Sequence, residues 1–182
     1  MNVYIWTSGE LKNAYIGEVW EYTISNIPTT DTNVYVNVAR SWKTIQSVTF
    51  NFTVNFVSGQ ACYIHISSNN SNTQRYGIAI GDYQSSRQNK NWIRGRLSWS
   101  DTFYREVSTW FNFSGTTNVI FAINRDWNCS VSYNWTATSY TATGTELTIL
   151  QTLMNLSNMN VYAAQTSSLL SWNKVNVEVT YS

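Results

Sequence analysis

Proline occurs once in the 182 residues, histidine once and cysteine twice. A single histidine rules out a histidine-rich metal centre. Any Ser-His-Asp or Cys-His catalytic site would have to be built on His65. Cys62 and Cys129 are too few for a disulfide framework. Charge is scarce as well: eleven Lys and Arg face ten Asp and Glu, for a net charge of +1. So few cations cannot cover a phosphate backbone, and nucleic acid is not an expected partner. No apolar run approaches the roughly 18 residues of a membrane-spanning helix. Residues 1–4, M-N-V-Y, show neither the basic start nor the apolar stretch of a secretory signal, so synthesis in the cytosol without export by the usual route is expected. Glycine is rare, at 8 residues, and forms no phosphate-binding loop.

What is abundant is uncharged polar bulk. Asn, Ser and Thr number 22 each, which gives a surface solvated without strong fields. Seven of the eleven cations are Arg, and Arg87, Arg94, Arg96 and Arg105 fall close together, near Asp82, Asp101 and Glu106. They read as a locally basic wet face.

The strongest pattern is S-V-T-F-N-F-T-V-N-F-V at 47–57. Val48, Phe50, Phe52, Val54 and Phe56 alternate with Thr49, Asn51, Thr53 and Asn55, the period-two signature of a strand with one dry face. Such a strand needs a second layer over that face. Similar alternation marks 33–39 and 174–181, and a Ser-Gly turn at 58–59 leads into 61–67. There Cys62, Ile64 and Ile66 face inward, which predicts a buried free thiol, while Tyr63 and His65 face outward as surface residues. Further strands are expected at 22–25, 76–80, 92–99, 119–124, 131–138, 146–150 and 160–164, and at 102–113, where Phe103, Val107, Trp110 and Phe111 would also suit an amphipathic helix but the ending F-N-F-S-G favours a strand. About ten strands with polar loops predict an all-β fold, an antiparallel jelly-roll-like β-sandwich.

Ahead of it, V-Y-I-W and A-Y-I-G, at 3–6 and 14–17, read as two copies of a short strand joined through a Ser-Gly turn. The expected division is therefore an N-terminal strand motif over 1–21 and one sandwich domain over 22–182. Val3, Ile5, Leu11, Ala14 and Ile16 carry too little apolar mass for a core of their own, so they are candidate assembly residues, packing on the sandwich, a neighbouring copy or another partner.

That N-terminal stretch resembles the tandem x-Y-I-G motif near the start of many tailed-phage tail, fibre and other virion proteins, with Trp6 where the first Gly is usual. The resemblance implies a virion structural protein, tail-associated, fibre-like or surface-decorating, assembled in the host cytoplasm as a homo-oligomer or with other virion proteins. F-N-F-S-G-T-T-N-V-I-F-A-I-N-R-D, at 111–126, resembles the jelly roll of carbohydrate-binding modules. The alternative reading is accordingly a glycan-binding module, free or acting as the host-recognition head of a particle.

The nine Trp residues supply chemistry for that alternative, because a flat ring stacks on the apolar face of a sugar. Tyr83, Trp92, Trp127 and Trp135, in or beside predicted loops, are the candidate glycan-binding residues. No catalytic residue is assigned. Paired carboxylates for glycoside hydrolysis would have to come from ten scattered acids, such as Asp101 with Glu106 or Asp82 with Asp126, so an enzyme ranks third. No cofactor is expected; a structural calcium ion would need oxygen ligands other than an Asp-x-Asp-x-Asp run, which the chain lacks. One further pattern concerns Trp6, Trp42, Trp127 and Trp172, which stand where turns favour glycine. A stop codon decoded as glycine in the source, and written as Trp on translation, would produce it. The codons at those positions decide the matter.

Overall fold

The computed structural model describes residues 2–7, 10–15, 17–39, 42–68, 73–81, 90–98, 102–107 and 115–182, the first two stretches by backbone alone. In chain order the strands are β1 (Asn2–Thr7), β2 (Glu10–Tyr15), β3 (Glu18–Ile24), β4 (Val34–Asn37), β5 (Ile45–Asn55), β6 (Cys62–Ser68) and β7 (Arg75–Ile80). They continue as β8 (Asn91–Arg96), β9 (Thr102–Val107), β10 (Thr116–Asn124), β11 (Asn128–Tyr133) and β12 (Thr136–Thr141). Helix α1 (Gly144–Met154) then precedes β13 (Met159–Gln165) and β14 (Val175–Tyr181).

Among the described residues strands β1 and β2 pair only with each other. The remaining strands form two six-stranded sheets, β12-β11-β10-β5-β14-β3 and β4-β13-β6-β7-β8-β9. All pairings are antiparallel. The chain passes between the sheets after β3, β4, β5, β9, β12 and β13. This is the expected all-β sandwich of jelly-roll-like connectivity.

Alternation explains the packing. Val48, Phe50, Phe52 and Val54 of β5 are buried, while Asn51 is exposed and Thr53 half-buried on the other face. Phe50 lies opposite Phe121 in the ladder, with ring centroids 6.0 Å apart. On the other side Val177 pairs with Phe50 and is buried, and Asn176 is exposed. The second sheet answers with Cys62, Ile64, Ile66, Ile78 and Ile93. Cys62 and Cys129 are free thiols. Burial pushes their pKa up, to about 12 and about 11, which keeps both protonated and unreactive.

Two expected strands differ. Residues 131–138 do not run through, because the chain reverses at Asn134, whose φ is 53°, to start β12. Residues 146–150 lie inside α1. Glu146, Ile149, Leu150, Leu153 and Met154 are its buried residues, a spacing of three and four that suits a helix, and the Thr and Ile around them had favoured a strand. Arg125 closes the helix. Its Nε donates to the Ile45 carbonyl at 2.7 Å, Nη1 to Asn155 Oδ1 at 2.8 Å and Nη2 to the Met154 carbonyl at 3.0 Å. A cation there complements the exposed carbonyls of the last turn. Of the strand expected over 102–113, β9 covers the first six residues, and 108–114 lie outside the described residues. No helix among the described residues is long and apolar enough to cross a membrane.

A polar network lies inside the core. Tyr76 Oη donates to Glu146 Oε1 at 2.7 Å and lies 3.0 Å from Tyr140 Oη and 3.3 Å from Cys129 Sγ. Arg105 Nη2 donates to Glu146 Oε2 at 2.8 Å. Gly95 leaves room for the tyrosine: a Cβ there would meet Tyr76 Cδ2 at 2.8 Å.

Among the described residues the non-glycine positions with positive φ are Asn26, Asp31, Trp127, Asn134, Trp172 and Asn173. Asn and Asp tolerate this region, but a bulky ring does not. Trp127 and Trp172, at φ 62° and 59°, are two of the four positions where glycine was expected. Trp172 is 91% exposed and loses little packing on truncation. Trp172→Gly should therefore raise stability by about 0.5–1 kcal/mol, the strain relieved less the entropy of glycine. Urea unfolding measures it, and an unchanged or lowered midpoint would contradict strain at this residue.

Candidate functional site

The two outer faces of the sandwich differ in chemistry. The outer face of the first sheet is mostly Ser, Thr and Asn, with Glu21 and Glu178 facing each other across the ladder. A shallow groove of about 460 Å³ on it is lined by Glu21, Thr49, Asn51, Asn176 and Glu178 among others. Its amides bond to one another, as where Asn118 Nδ2 donates to Asn51 Oδ1 at 3.0 Å.

The outer face of the second sheet is aromatic and cationic. Strand register places Tyr35 of β4, Tyr162 of β13, His65 of β6, Gly77 of β7, Arg94 of β8 and Tyr104 of β9 in one row. The row on one side contains Ser67, Arg75 and Arg96, and the row on the other contains Ala164, Tyr63, Ala79 and Trp92.

Gly77 makes the centre of the row possible. A Cβ there would lie 2.1 Å from the Ile64 carbonyl oxygen, 2.6 Å from His65 Cα and 2.8 Å from His65 Cδ2. Without it, the imidazole reaches over β7 to Arg94, whose Nε donates to His65 Nε2 at 3.2 Å. An arginine only donates, so His65 accepts through Nε2 and carries its proton on Nδ1. Among the described residues that Nδ1 has no hydrogen-bond partner. The Arg94 guanidinium also lies over the Tyr63 ring at 4.1 Å. Behind it, His65 and Tyr162 have ring centroids 5.0 Å apart, and Tyr162 and Tyr35 5.5 Å. Arg75 Nη1 donates to Tyr162 Oη at 3.4 Å.

His65 corrects the sequence reading. Alternation put it on the outer side, where it lies, but it is fully buried rather than a surface residue. Ser67 and Tyr162 on the same side are also shut off from water. The face grades from dry at β13 and β6 to open at β9, where Tyr104 is 45% exposed. Burial first, and then the charges of Arg94, Arg75 and Arg96, hold the His65 pKa well below its ordinary 6.5. Burial first, and then Arg75, also lower the pKa of Arg94 and of Arg96. Arg96 stands directly opposite Arg75 in the ladder, a pairing of like charges. Asp31 is close enough to feel Arg94 and Arg75, which oppose the upward push of burial on its carboxyl. Neither Arg75 nor Arg94 forms an ion pair with a carboxylate among the described residues.

The three candidate glycan-binding residues that are described are not brought together. Trp92 lies on this face, within β8 rather than a loop, half-buried against Ala61, Tyr63, Ala79 and Ala164. Lys90 Nζ is 5.6 Å from its ring centroid and 3.2 Å from Glu106 Oε2. Trp127 occupies the turn between β10 and β11, half-buried, with the Arg125 guanidinium 6.0 Å from its ring. Trp135, in the turn between β11 and β12, is 98% exposed. Those two turns belong to the first sheet. Tyr83 lies outside the described residues. Of the assembly candidates, Val3, Ile5 and Leu11 fall in β1 and β2, and Ile16 lies outside the described residues. Among the described residues no group of three or more His, Cys, Asp or Glu is placed to hold a metal ion. Sequence reasoning had noted Arg94 and Arg96 only as part of a basic stretch, and it missed Arg75, Tyr104 and Gly77.

No protein-family model matches the chain, and no curated protein matches it in sequence. Solved structures do resemble it. The carbohydrate-binding module CBM40 of the Ruminococcus gnavus IT-sialidase, bound to alpha2,3 sialyllactose, aligns over 80% of this chain and 88% of its own, with 6% identity and a TM-score of 0.46. The binding domain of botulinum neurotoxin serotype D/C VPI 5993 aligns over 96% of this chain and 46% of its own, with 12% identity and a TM-score of 0.47. Bacteroides ovatus xyloglucan PUL GH43B aligns over 89% of this chain, with 10% identity and a TM-score of 0.46; the chain spans about a third of its length, 32%.

The chain's single histidine makes the dry end of this face measurable. His65 is neutral when folded and free to take a proton when unfolded, so its contribution is complete above 6.5 and is lost as pH falls below that value. Asp31, with its carboxyl raised, acts in the opposite sense and nearer its ordinary 3.8. Urea midpoints should therefore drop between about pH 7 and pH 5, and His65→Gln should flatten that slope. An equal slope in the variant would mean that His65 is protonated in the folded protein.

Proposed function

We propose that this protein is a carbohydrate-binding module that acts without turnover, its ligand lying on the outer face of the second sheet beside β8 and β9. The observation that carries the reading is the register row running from Tyr35 to Arg94 and opening at Tyr104. A sugar ring offers an apolar C–H face for aromatic stacking and adjacent hydroxyls for fixed donors. Tyr104 supplies an exposed ring, Trp92 a half-buried one, and Arg94 a donor held from two sides. A glycan array with the full chain tests this. Tyr104→Ala should weaken any captured glycan about tenfold, in keeping with one lost stacking contact. Capture that Tyr104→Ala leaves unchanged would move the site elsewhere.

A second reading adds a location. The hairpin of β1 and β2 is a sheet of its own, paired in neither ladder of the sandwich, which favours an appended element over an edge of the domain. With the virion-type motif it carries, that supports a phage virion component in which the hairpin joins copies or particle partners and the sandwich meets the host surface. Strand β3 begins at Glu18, so shortening the chain to start at Gly17 leaves both sheets whole. Light scattering and thermal unfolding of that form should show an intact domain with reduced self-association. Loss of the fold with unchanged association would make the hairpin a structural part of the sandwich.

A further inference from the structure

We infer that the glycan taken by the outer face of the second sheet is acidic, its anionic group held end-on by Arg94, beside the facing pair Arg75 and Arg96. The inference rests on the glycan-binding reading and names the ligand class of the same site.

Three observations carry it. First, three guanidinium groups are gathered on adjacent strands of a chain that has only seven arginines. Arg75 and Arg96 face each other across the ladder, and Arg94 follows on the same side of β8. Like charges set opposite one another cost stability, and burial raises that cost. Second, among the described residues no carboxylate forms an ion pair with Arg75 or Arg94. Asp31 makes no ion pair with Arg75 or Arg94, and Glu106 is taken by Lys90 at 3.2 Å.

Third, Arg94 is already oriented. Its Nε is spent on His65 and its plane lies over Tyr63, while Nη1 and Nη2 have no hydrogen-bond partner among the described residues. Those two nitrogens form the fork that takes both oxygens of a carboxylate, or two of a sulfate. Fixing the fork before binding removes much of the entropy that a free arginine would lose. Tyr104, next in the row and 45% exposed, offers its ring to the sugar that bears the charge. The ligand is thereby oriented, with its charge toward Arg94 and its ring plane over β9.

The test uses the full chain on an array of carboxylated and sulfated oligosaccharides with their neutral parents, together with the carboxyl-reduced form of each carboxylated sugar. Binding of acidic glycans, lost by at least about tenfold on carboxyl reduction, supports the inference and needs no variant. Carboxylated and sulfated members separate the two sources of charge. Arg94→Lys keeps the charge and loses the fork, so the same tenfold loss with unchanged thermal unfolding assigns the contact to Arg94. Capture of neutral glycans alone would overturn the acidic ligand and leave the glycan reading standing. Absence of any captured glycan would overturn both. Oligo(dT) or oligo(U) competing as well as the acidic sugars would also overturn the inference and mark the face as a nucleic-acid platform.

Discussion

The hydrogen bond from the Tyr76 hydroxyl to the buried Glu146 carboxylate holds the layers of this protein together. Tyr76 belongs to the second sheet, Cys129 and Tyr140 beside it belong to the first, Glu146 belongs to the helix, and Arg105 reaches the carboxylate from the strand next to β8. A fully buried carboxylate costs several kcal/mol unless it is paired and hydrogen-bonded, and here both oxygens are engaged. The hydrophobic faces would drive any pair of such sheets together. The polar contact selects one way of stacking them, because sliding a sheet would leave that charge uncovered. Burial, together with the neighbouring Cys129, Tyr140 and Glu146, holds the Tyr76 pKa well above 10, so its hydroxyl stays a donor.

The same strand links this contact to the candidate site. Tyr76 and Gly77 are neighbours in β7, one anchored inward and the other empty outward. The tyrosine fixes the height of the strand, and the missing side chain beside it lets the imidazole of His65 cross to Arg94. A change that loosened Tyr76 would therefore shift the floor beneath His65 and with it the direction of the guanidinium, with no residue of the outer face altered.

Much of the fold was legible in the sequence, and the site much less so. The alternation in β5 and β14 identified the dry faces correctly because the period of a strand is independent of its partners. Alternation also put His65 on the outer side, but it cannot say whether that side is covered, and the residue turned out dry. Helix α1 was misread because Glu146 to Leu150 is a short, mostly apolar window in which a strand and a helix look alike; the spacing of Leu150, Leu153 and Met154 was the signal that could have found it. The row from Tyr35 to Tyr104 joins six strands, drawn from Tyr35 near the start of the chain to Tyr162 near its end, and only the register brings them into line. Trp127, Trp135 and Trp92 were grouped by residue type, and the topology separates the first two from the third.

The contrast between the two outer faces gives the molecule a front and a back. One broad face is mostly Asn, Ser and Thr, with Glu21 and Glu178 paired across it; the other concentrates three guanidinium groups. On a body of net charge +1 such an arrangement acts as a permanent compass. Near an anionic cell surface the torque turns the cationic face forward before any atom touches, within the reach of about 10 Å that ordinary salt allows. The opposite face, on which Glu21 and Glu178 stand, would be turned away from such a surface by the same field.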